Sequence, residues 1–407
     1  MGISSAGRLA PSRPEAAGGL CVQLSTSWSF PTGVRIGAGC VRELAATCEA
    51  NGIARPLIVT DPGMIGLPAF ESVLRGLGQE VPVFSEVKPN PIGANVVAGV
   101  EAFRAGAHDG VIAVGGGSAL DCGKAIAFQA GQSRPIWDFE DVGDNWTLAD
   151  ADAIAPVIAV PTTAGTGSEV GRAGVVTNEA EQRKVIVFHP KMLPVAVVCD
   201  PELTVGLPRV LTVGTGMDAL SHSLEAVCAP GYHPMAHGIG VEGIRLVLEH
   251  LPRVVADPGD LESRTQMMAA AAMGAVAFQK GLGGMHALAH PIGAVFDTHH
   301  GMTNAVLMPY VLDANRSAVE TTLAGVAGYV GIDGGFDGVL ERVLELRDAF
   351  DVPHRLTDLG VDPTRREEIV AAAVVDPSAA GNPLPFTEEL AESIHDAACG
   401  GTIGRGE

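Results

Sequence analysis

The stretch GVIAVGGGSALDCGKAIA, residues 110–127, decides the fold of this chain. It predicts a buried strand from Val111 to Val114, a turn of three glycines, and a helix that carries Asp121 and Lys124. Because glycines have no Cβ atom, backbone N–H groups and the helix N-terminus can approach a pyrophosphate at this turn. A tight turn without a ligand would use the same residues, so this stretch alone leaves nucleotide binding open.

A second stretch of the same kind follows in APVIAVPTTAGTGSEV, residues 155–170. We predict a strand over Ile154 to Val160, followed by small hydroxyl residues between glycines. Such residues can bond a phosphate, a ribose or a nicotinamide amide without blocking the backbone. A plain Ser/Thr-rich turn is the better explanation of this stretch taken alone. However, this stretch follows the first glycine turn and should lie at a neighbouring strand end. The two stretches together therefore predict a nucleotide-binding crevice.

The rest of the chain divides into two halves with different periodicity. Up to about Val205, short apolar strands such as PLIVTD, residues 56–61, alternate with helical patterns, which predicts a parallel α/β sheet. Beyond that point long helical patterns dominate. We therefore predict a disordered leader over residues 1–20, an α/β dinucleotide-binding domain over 21–205 and an all-helical domain over 206–407.

Polar residues at helical spacing mark the second half as a metal-binding domain. DALSH places Asp218 and His222 four residues apart, HALAH does the same for His286 and His290, and DTHHG contains His299 and His300. Residues four apart share a helix face, so one carboxylate and several imidazoles can converge on a divalent cation such as iron or zinc. The spacing leaves open which of the later histidines bind it. We do not predict a metal site at a further pair of histidines, His233 and His237 in YHPMAH.

Composition excludes several classes of function. The net charge of −21 over 407 residues argues against nucleic acid and against anionic membranes as partners. No apolar run reaches the length of a transmembrane helix, and the first twenty residues lack the apolar region of a secretory signal. The seven cysteines form no CxxC pair and are odd in number, so we expect reduced thiols and a cytoplasmic protein.

With these motifs in order, the sequence resembles the iron-dependent (group III) alcohol dehydrogenases. GGGSALDCGKA is similar to that family's GGGSxxDxxKA loop, PTTAGTGSE to its PTTxGTGSE loop, and the metal set to its DxxxH, HxxxHPxG and HG segments. The resemblance implies a Rossmann-like α/β domain followed by an all-α metal-binding domain, the fold shared with dehydroquinate synthase. It also implies an aldehyde or ketone reductase that uses Fe(II), or Zn(II) in its place, with NAD(P)H.

The resemblance also assigns roles to individual residues. It implies that His290 relays protons near the nicotinamide. The metal ligands that it implies are Asp218, His222, His286 and His300. The cofactor-binding residues that it implies are Gly115, Gly116, Gly117, Ser118, Asp121, Thr162, Thr163, Thr166 and Lys184.

Asp61 matches the family position near the adenosine ribose, where a carboxylate bonds the 2′-OH but repels a 2′-phosphate, so we expect NAD(H) to be preferred over NADP(H). A plain Asp-Pro turn is its alternative explanation.

Two cations suggest the substrate. Arg172 and Lys280 lie beside segments that line the family's cleft and would favour an aldehyde bearing a carboxylate, phosphate or phosphonate, such as succinic semialdehyde or phosphonoacetaldehyde. Pairing with acids or helix capping is the more ordinary role for both. A dehydroquinate synthase-type cyclase or lyase, and a nucleotide-binding protein without activity, are the rival functions. The family suggests a homodimer or larger homo-oligomer, with the N-terminal edge strand as a joint.

Overall fold

The computed structural model describes residues 26–27 and 29–404, so the predicted leader over residues 1–20 lies outside the described residues. The strands are β1 (Gly33–Ile36), β2 (Pro56–Val59), β3 (Val83–Phe84), β4 (Gly110–Gly115), β5 (Val157–Pro161), β6 (Ala173–Asn178), β7 (Arg183–Phe188) and β8 (Ala196–Cys199). The helices are α1 (Leu44–Ala50), α2 (Pro68–Leu77), α3 (Gly93–Ala105), α4 (Gly117–Gln129), α5 (Arg209–Cys228), α6 (Pro234–Ala256), α7 (Leu261–Ala277), α8 (Gly284–Phe296), α9 (His300–Ala314), α10 (Arg316–Val330), α11 (Gly335–Ala349), α12 (Arg366–Ala373) and α13 (Glu388–Gly400).

Six strands form one parallel sheet in the order β1-β8-β5-β4-β2-β3. β4 and β5 are central and buried along their whole length, which explains why both are continuous apolar runs rather than alternating ones. They are direct neighbours, with Gly115 opposite Pro161. The prediction that the two glycine-containing turns follow neighbouring strand ends is therefore confirmed.

The side chains of each strand point alternately to the two faces of this sheet, and helices cover both faces. Val111 and Ala113 point into a core shared with α3 and α4, whereas Ile112 and Val114 point into the core beneath α1 and α2. β6 and β7 form a separate antiparallel hairpin. The predicted α/β class is thus confirmed for the first half of the chain.

The second half is helical and is organised around α5, which packs against α6, α7 and α9. The last strand ends at Cys199 and α5 begins at Arg209, on either side of the domain boundary that we predict near Val205. Within the described residues, no helix combines the length and the apolarity needed to cross a bilayer.

The glycines of the turn after β5 let the helical half approach the sheet. A Cβ at Gly165 would lie 2.6 Å from the side chain of Thr215 on α5. Gly167 has a φ of +61°, and a Cβ there would lie 2.6 Å from the carbonyl oxygen of Ala271 on α7. Side chains at these two positions would push the helices away. The turn that was predicted to hold a nucleotide therefore also contributes to the contact between the two halves.

Candidate active site

Four side chains of the helical half converge at one point. Ligand atoms of Asp218, His222, His286 and His300 all lie within 4.8 Å of one another. Measured from Asp218 Oδ1, the Nε2 atom of His300 is 3.6 Å away and those of His222 and His286 are each 4.0 Å away. Separations of this size allow one cation with bonds of about 2.0–2.2 Å to be shared among them.

Helical periodicity explains how these residues meet. Asp218 and His222 lie one turn apart on α5, and the same face carries Glu225 one turn further on. Glu225 is 5 % exposed, accepts a hydrogen bond from the backbone N–H of Met285 and lies 2.6 Å from Nδ1 of His286. Glu225 therefore fixes the ring orientation of His286 and leaves its Nε2 atom facing the cluster.

The protonation states at this site suit a metal ion. Burial lowers the pKa of His222 to about 4 and places that of His300 well below its ordinary value, so both rings are neutral at pH 7. Burial alone would raise the pKa of Asp218, but the surrounding histidines and Asn304 hold it below its usual range. Glu225 and Asp218 raise the pKa of His286 despite its burial, so an ion that binds there displaces a proton from this ring. An ionised carboxylate with imidazoles that have lost their ligand-side protons is the donor set that Fe(II) or Zn(II) requires. The residues present therefore fit the metal that the resemblance implies.

Asn304 completes the cluster from α9, four residues after His300. It is fully buried, and its Nδ2 atom lies 2.9 Å from Asp218 Oδ1, 3.2 Å from His286 Nε2 and 3.1 Å from His300 Nε2. One amide thus touches three of the four candidate ligands. Its position holds their side chains at fixed separations from one another.

The remaining histidines lie outside the donor set. His299 accepts a hydrogen bond from the backbone N–H of Met302 and so caps α9, while its neighbour His300 faces the cluster. His233 caps α6 by accepting a hydrogen bond from Ala236 N. His290 stacks on His300, with ring centroids 5.6 Å apart, and its Nδ1 atom lies 2.8 Å from Oδ2 of Asp376. His290 is therefore beside the cluster but held by a different carboxylate.

The two predicted nucleotide loops touch each other. A Cβ at Gly117 would lie 2.6 Å from Cγ2 of Thr166, and one at Gly116 would lie 3.4 Å from Cγ2 of Thr163. The β4 turn itself begins with Gly115, whose φ is +141°. The loops thus form one continuous backbone surface at the carboxyl ends of β4 and β5, with α4 starting from it.

Other predicted cofactor residues surround these loops. Ser118 donates a hydrogen bond to the carbonyl of Pro89, and Thr162 is buried beneath the second loop, with its hydroxyl 3.8 Å from Met64 Sδ. Asp121 accepts hydrogen bonds from Ser168 Oγ and from Val175 N, so it fastens the second loop to β6. These contacts give Asp121 a structural task within the nucleotide half.

Two further predicted cofactor residues are Asp61, beside the first loop, and Lys184, beside α8. Asp61 stands two residues after the end of β2 and accepts a hydrogen bond from Gly63 N at 2.9 Å, with its other oxygen 3.4 Å from where a Cβ of Gly115 would be. Lys184, on β7, is largely buried, and burial lowers its pKa despite the carboxylates around it. A Cβ at Gly293 on α8 would lie 3.5 Å from Lys184 Nζ. Lys184 therefore reaches from the hairpin toward the helix of His286 and His290.

The two candidate substrate cations lie in different surroundings. Lys280 donates a hydrogen bond to the carbonyl of Val227 at the end of α5, which is the helix-capping role described above as the ordinary alternative. The guanidinium of Arg172 lies over the ring of Phe188, 5.4 Å from its centroid. Among the described residues, neither cation forms an ion pair within 4.0 Å.

Sequence reasoning missed three residues of this site: Glu225, Asn304 and Asp376. Spacing could have found two of them, because Glu225 lies seven residues after Asp218 and Asn304 lies four after His300. Asp376 stands 86 residues from its partner His290, and no local pattern connects the two.

In comparison with known proteins, both halves of the chain match models of the same family. A family model described as iron-containing alcohol dehydrogenase matches residues 31–201, and the model of that family's C-terminal part matches residues 212–399. The chain is 36 % identical to a 4-hydroxybutyrate dehydrogenase of Cupriavidus necator over 364 residues, which cover 87 % of this chain and 94 % of the relative.

Two solved structures have a similar fold. A 1,3-propanediol oxidoreductase is similar with a TM-score of 0.87 and 33 % identity, covering 91 % of this chain and 99 % of the other. A sulfoacetaldehyde reductase from Bifidobacterium kashiwanohense, solved in complex with NAD+, is similar with a TM-score of 0.83 and 27 % identity, covering 91 % and 98 %.

Proposed function

Because the chain belongs to the iron-containing alcohol dehydrogenase family, whose members are NAD(P)-dependent oxidoreductases acting on CH–OH groups, we propose that it interconverts a small aldehyde or ketone and the corresponding alcohol. The proposed cofactors are NAD(H) and Fe(II), with Zn(II) as the substitute ion. The observation that carries this proposal is the cluster of Asp218, His222, His286 and His300. Two of these residues, Asp218 and His222, stand on α5, which packs directly against the second nucleotide loop.

Different residues carry out different parts of the proposed reaction. When bound, NADH supplies the hydride and the divalent cation polarises the carbonyl that receives it. Asp218 and the three histidines hold the ion, and the two loops orient the nucleotide through backbone N–H groups. The Nε2 atom of His290 passes a proton toward the oxygen of the product, since its Nδ1 atom is occupied by Asp376.

The family match favours the dehydrogenase over the dehydroquinate synthase-type cyclase or lyase. The complete donor set likewise speaks against a nucleotide-binding protein without activity. Both functional rivals predict no net consumption of NADH, which absorbance at 340 nm measures directly. Steady oxidation of NADH by an aldehyde therefore supports the dehydrogenase alone.

For the nucleotide we propose a preference for NADH, with Asp61 as its determinant. A carboxylate at the end of β2 beside Gly115 bonds a ribose 2′-OH and repels a 2′-phosphate. Replacing Asp61 by Gly should reduce the preference for NADH over NADPH at least tenfold, because the repulsion of the 2′-phosphate is lost. The measurement is kcat/KM with NADH and with NADPH for both proteins. A native enzyme that favours NADPH would disprove the assignment.

For the substrate we propose an aldehyde with an anionic group, a carboxylate foremost. Support comes from the 4-hydroxybutyrate dehydrogenase and the sulfoacetaldehyde reductase that the chain resembles, since the compounds in both names are anionic. Arg172 and Lys280 are the candidate anchors, and each lacks a carboxylate partner within 4.0 Å in the described part of the chain. Arg172 is the stronger candidate, because the Lys280 ammonium is already bonded to Val227 O.

A substrate panel with Fe(II) and NADH tests this directly. Succinic semialdehyde and phosphonoacetaldehyde represent the anionic class, and butyraldehyde is a neutral aldehyde of matched length. Arg172→Ala should raise KM for the anionic aldehydes about tenfold or more while leaving butyraldehyde unchanged. Equal effects on charged and neutral substrates would remove Arg172 from the substrate site, and a native preference for butyraldehyde would overturn the anionic class.

We further propose that the protein is cytoplasmic and forms a homodimer or larger homo-oligomer. The six cysteines in the described part, Cys40, Cys48, Cys122, Cys199, Cys228 and Cys399, are free, which suits a reducing compartment. β1 is an edge strand with all four residues exposed, including Val34 and Ile36. Replacement of Val34 by Lys should therefore weaken assembly in sedimentation analysis, and an unchanged oligomer would exclude β1 as the joint.

A further inference from the structure

Helix α8 carries two histidines that are held in the same way. Nδ1 of His286 lies 2.6 Å from Glu225 Oε2, and Nδ1 of His290 lies 2.8 Å from Asp376 Oδ2. The two carboxylates come from different parts of the chain, Glu225 from α5 and Asp376 from the segment after α12. Each carboxylate accepts a hydrogen bond from Nδ1–H, so each imidazole presents Nε2 on its far side.

The Nε2 atoms have different neighbours. That of His286 belongs to the metal donor set, 4.0 Å from Asp218 Oδ1 and 3.2 Å from Asn304 Nδ2. His290 stands outside this set, stacked on the ring of His300. The same carboxylate–imidazole pair therefore serves a ligand in one case and a histidine that remains free to exchange a proton in the other.

We propose that Asp376 is the positioning residue of His290 and that it confines proton exchange to Nε2 by holding the Nδ1–H proton. This inference rests on the proposed function, because it assigns a task within the proton transfer of that reaction. For each carbonyl reduced, the ring takes up a proton from solvent at Nε2 and passes it to the oxygen of the product, which returns the ring to its neutral form with the proton on Nδ1. The Nδ1 proton stays on the ring throughout, hydrogen-bonded to Asp376.

The surroundings of Asp376 prevent it from turning away. Its Oδ1 atom accepts a hydrogen bond from Ser378 N at 2.8 Å and caps the 3₁₀ helix Pro377–Gly381, so only Oδ2 is left for His290. A Cβ at Gly381 would lie 2.0 Å from the carbonyl oxygen of Leu282, which means that this helix packs backbone to backbone against the segment leading into α8. Asp376 is thus fixed relative to the helix that carries His290.

A pair of asparagines fastens the end of the same segment. The buried side chains of Asn315 and Asn382 exchange two hydrogen bonds, of 2.8 and 3.1 Å, and Asn382 Oδ1 also accepts from Gly284 N at the start of α8. The segment over residues 376–382 is therefore anchored to both α8 and the end of α9. A carboxylate on such a support is suited to positioning a ring.

Asp376 is a carboxylate with only Oδ2 available to His290, so the variant that tests its role most directly is Asp376→Asn. An asparagine retains the shape and can still cap Ser378 N with its one oxygen, but it then presents an NH₂ group to Nδ1 of His290. That group favours the opposite tautomer, with the proton on Nε2 and the lone pair on Nδ1. The fold and the metal site are left intact, so a loss of turnover reports the tautomer.

The matched control is Asp362→Asn. Asp362 stands in the same Asp-Pro context and caps its own 3₁₀ helix by accepting from Thr364 N at 2.9 Å, but it holds no histidine. Glu225→Gln is the comparison for the second carboxylate. It should lower metal affinity about 10- to 100-fold, whereas Asp376→Asn should leave metal affinity unchanged.

The experiment compares these proteins and Asp376→Ala as Fe(II)-loaded enzymes with NADH and the best aldehyde of the panel. We expect kcat of Asp376→Asn to fall about 100-fold, with KM for aldehyde and NADH within twofold, unchanged thermal unfolding and a larger solvent isotope effect. Asp362→Asn should match the native enzyme. Native kcat in both Asp376 variants, or a loss that excess Fe(II) restores, would overturn the proposal.

A second measurement does not depend on turnover. Long-range ¹⁵N–¹H spectra of the Zn(II)-loaded protein, labelled at histidine, report which nitrogen of His290 carries the proton. We expect the Nδ1–H form in the native protein and its loss in Asp376→Asn. An Nε2–H tautomer in the native protein would refute the role of Asp376. If the native enzyme reduced no aldehyde, the proposed function would fail, while these spectra would still decide the role of Asp376.

Discussion

Single residues in this site act through the partners that hold them. The pair Asp218 and His222 was recognisable from spacing, but the choice between His299 and His300 was not, since chemistry allows either ring to bind a metal. The family resemblance favoured His300, and the structure shows His299 engaged at the N-terminus of α9 instead. Which of two adjacent histidines turns inward depends on where the helix begins, and that boundary is set by packing.

The role of Asp376 illustrates what sequence alone cannot supply. It follows a run of small apolar residues and precedes a proline, which predicts no more than a turn. Its partner His290 is distant along the chain, and only the packing of residues 376–382 on α8 brings the two together. Contacts of this long range are absent from any local pattern.

A pH-dependent prediction concerns Glu169, which ends the GTGSE motif. Burial raises the pKa of Glu169 to about 7, against an ordinary value of 4.5, and Lys124 opposes the rise only in part. Because the folded protein binds this proton more tightly than the unfolded chain, its stabilising contribution is complete below pH 4.5 and is lost as pH rises through 7. Glu169→Gln cannot ionise and lacks this dependence.

We therefore compare the unfolding free energies of Glu169→Gln and of the native protein. We expect the difference to shift in favour of the variant by about 2–3 kcal/mol when the pH is raised from 5 to 8. Unfolding by urea at both pH values measures the difference, with the exposed Glu101→Gln as control. A stability difference between Glu169→Gln and the native protein that does not change with pH would show that Glu169 keeps an ordinary pKa in the fold.

At the level of elements, strands and loops were predictable where their sequence signals are local. The strand before the first glycine turn was predicted over Val111–Val114 and extends over Gly110–Gly115. The second was predicted from Ile154, but β5 starts at Val157, because Ala155 N already bonds the carbonyl of Ala127 at the end of α4. Such boundaries depend on neighbouring elements, so composition does not define them.

The glycines of the second loop yield a prediction about how the two halves pack. Gly167→Ala would place a Cβ 2.6 Å from Ala271 O in a left-handed backbone conformation, so we expect a loss of about 2–4 kcal/mol in unfolding free energy. The control is Gly325→Ala on α10, an exposed helical position with nothing within 4 Å of the new Cβ. It should be neutral or stabilising by up to about 1 kcal/mol. Equal effects of both changes would contradict the close approach of α7.

At the scale of the whole molecule, two cores of different architecture are in contact through the loop after β5 and through the packing of α8 on β7. The sequence predicted both halves, since the change from alternating strands and helices to helices alone is visible in its periodicity. It did not predict that Gly165 and Gly167 would take part in the contact between them, because a glycine needed for a ligand and a glycine needed for a neighbouring helix look the same in a sequence. Their joint use places the donor set beside the nucleotide loops.

The central claim is that this chain reduces aldehydes with NADH only when the Asp218 cluster holds a divalent ion. The most direct measurement is NADH oxidation at 340 nm by chelator-treated enzyme, before and after addition of Fe(II), with Asp218→Ala treated in parallel. We expect metal-free enzyme to be inactive, Fe(II) to restore the activity, and Asp218→Ala to stay at least 1000-fold below the native enzyme at equal Fe(II). Full activity of the metal-free protein, or of Asp218→Ala, would contradict the account.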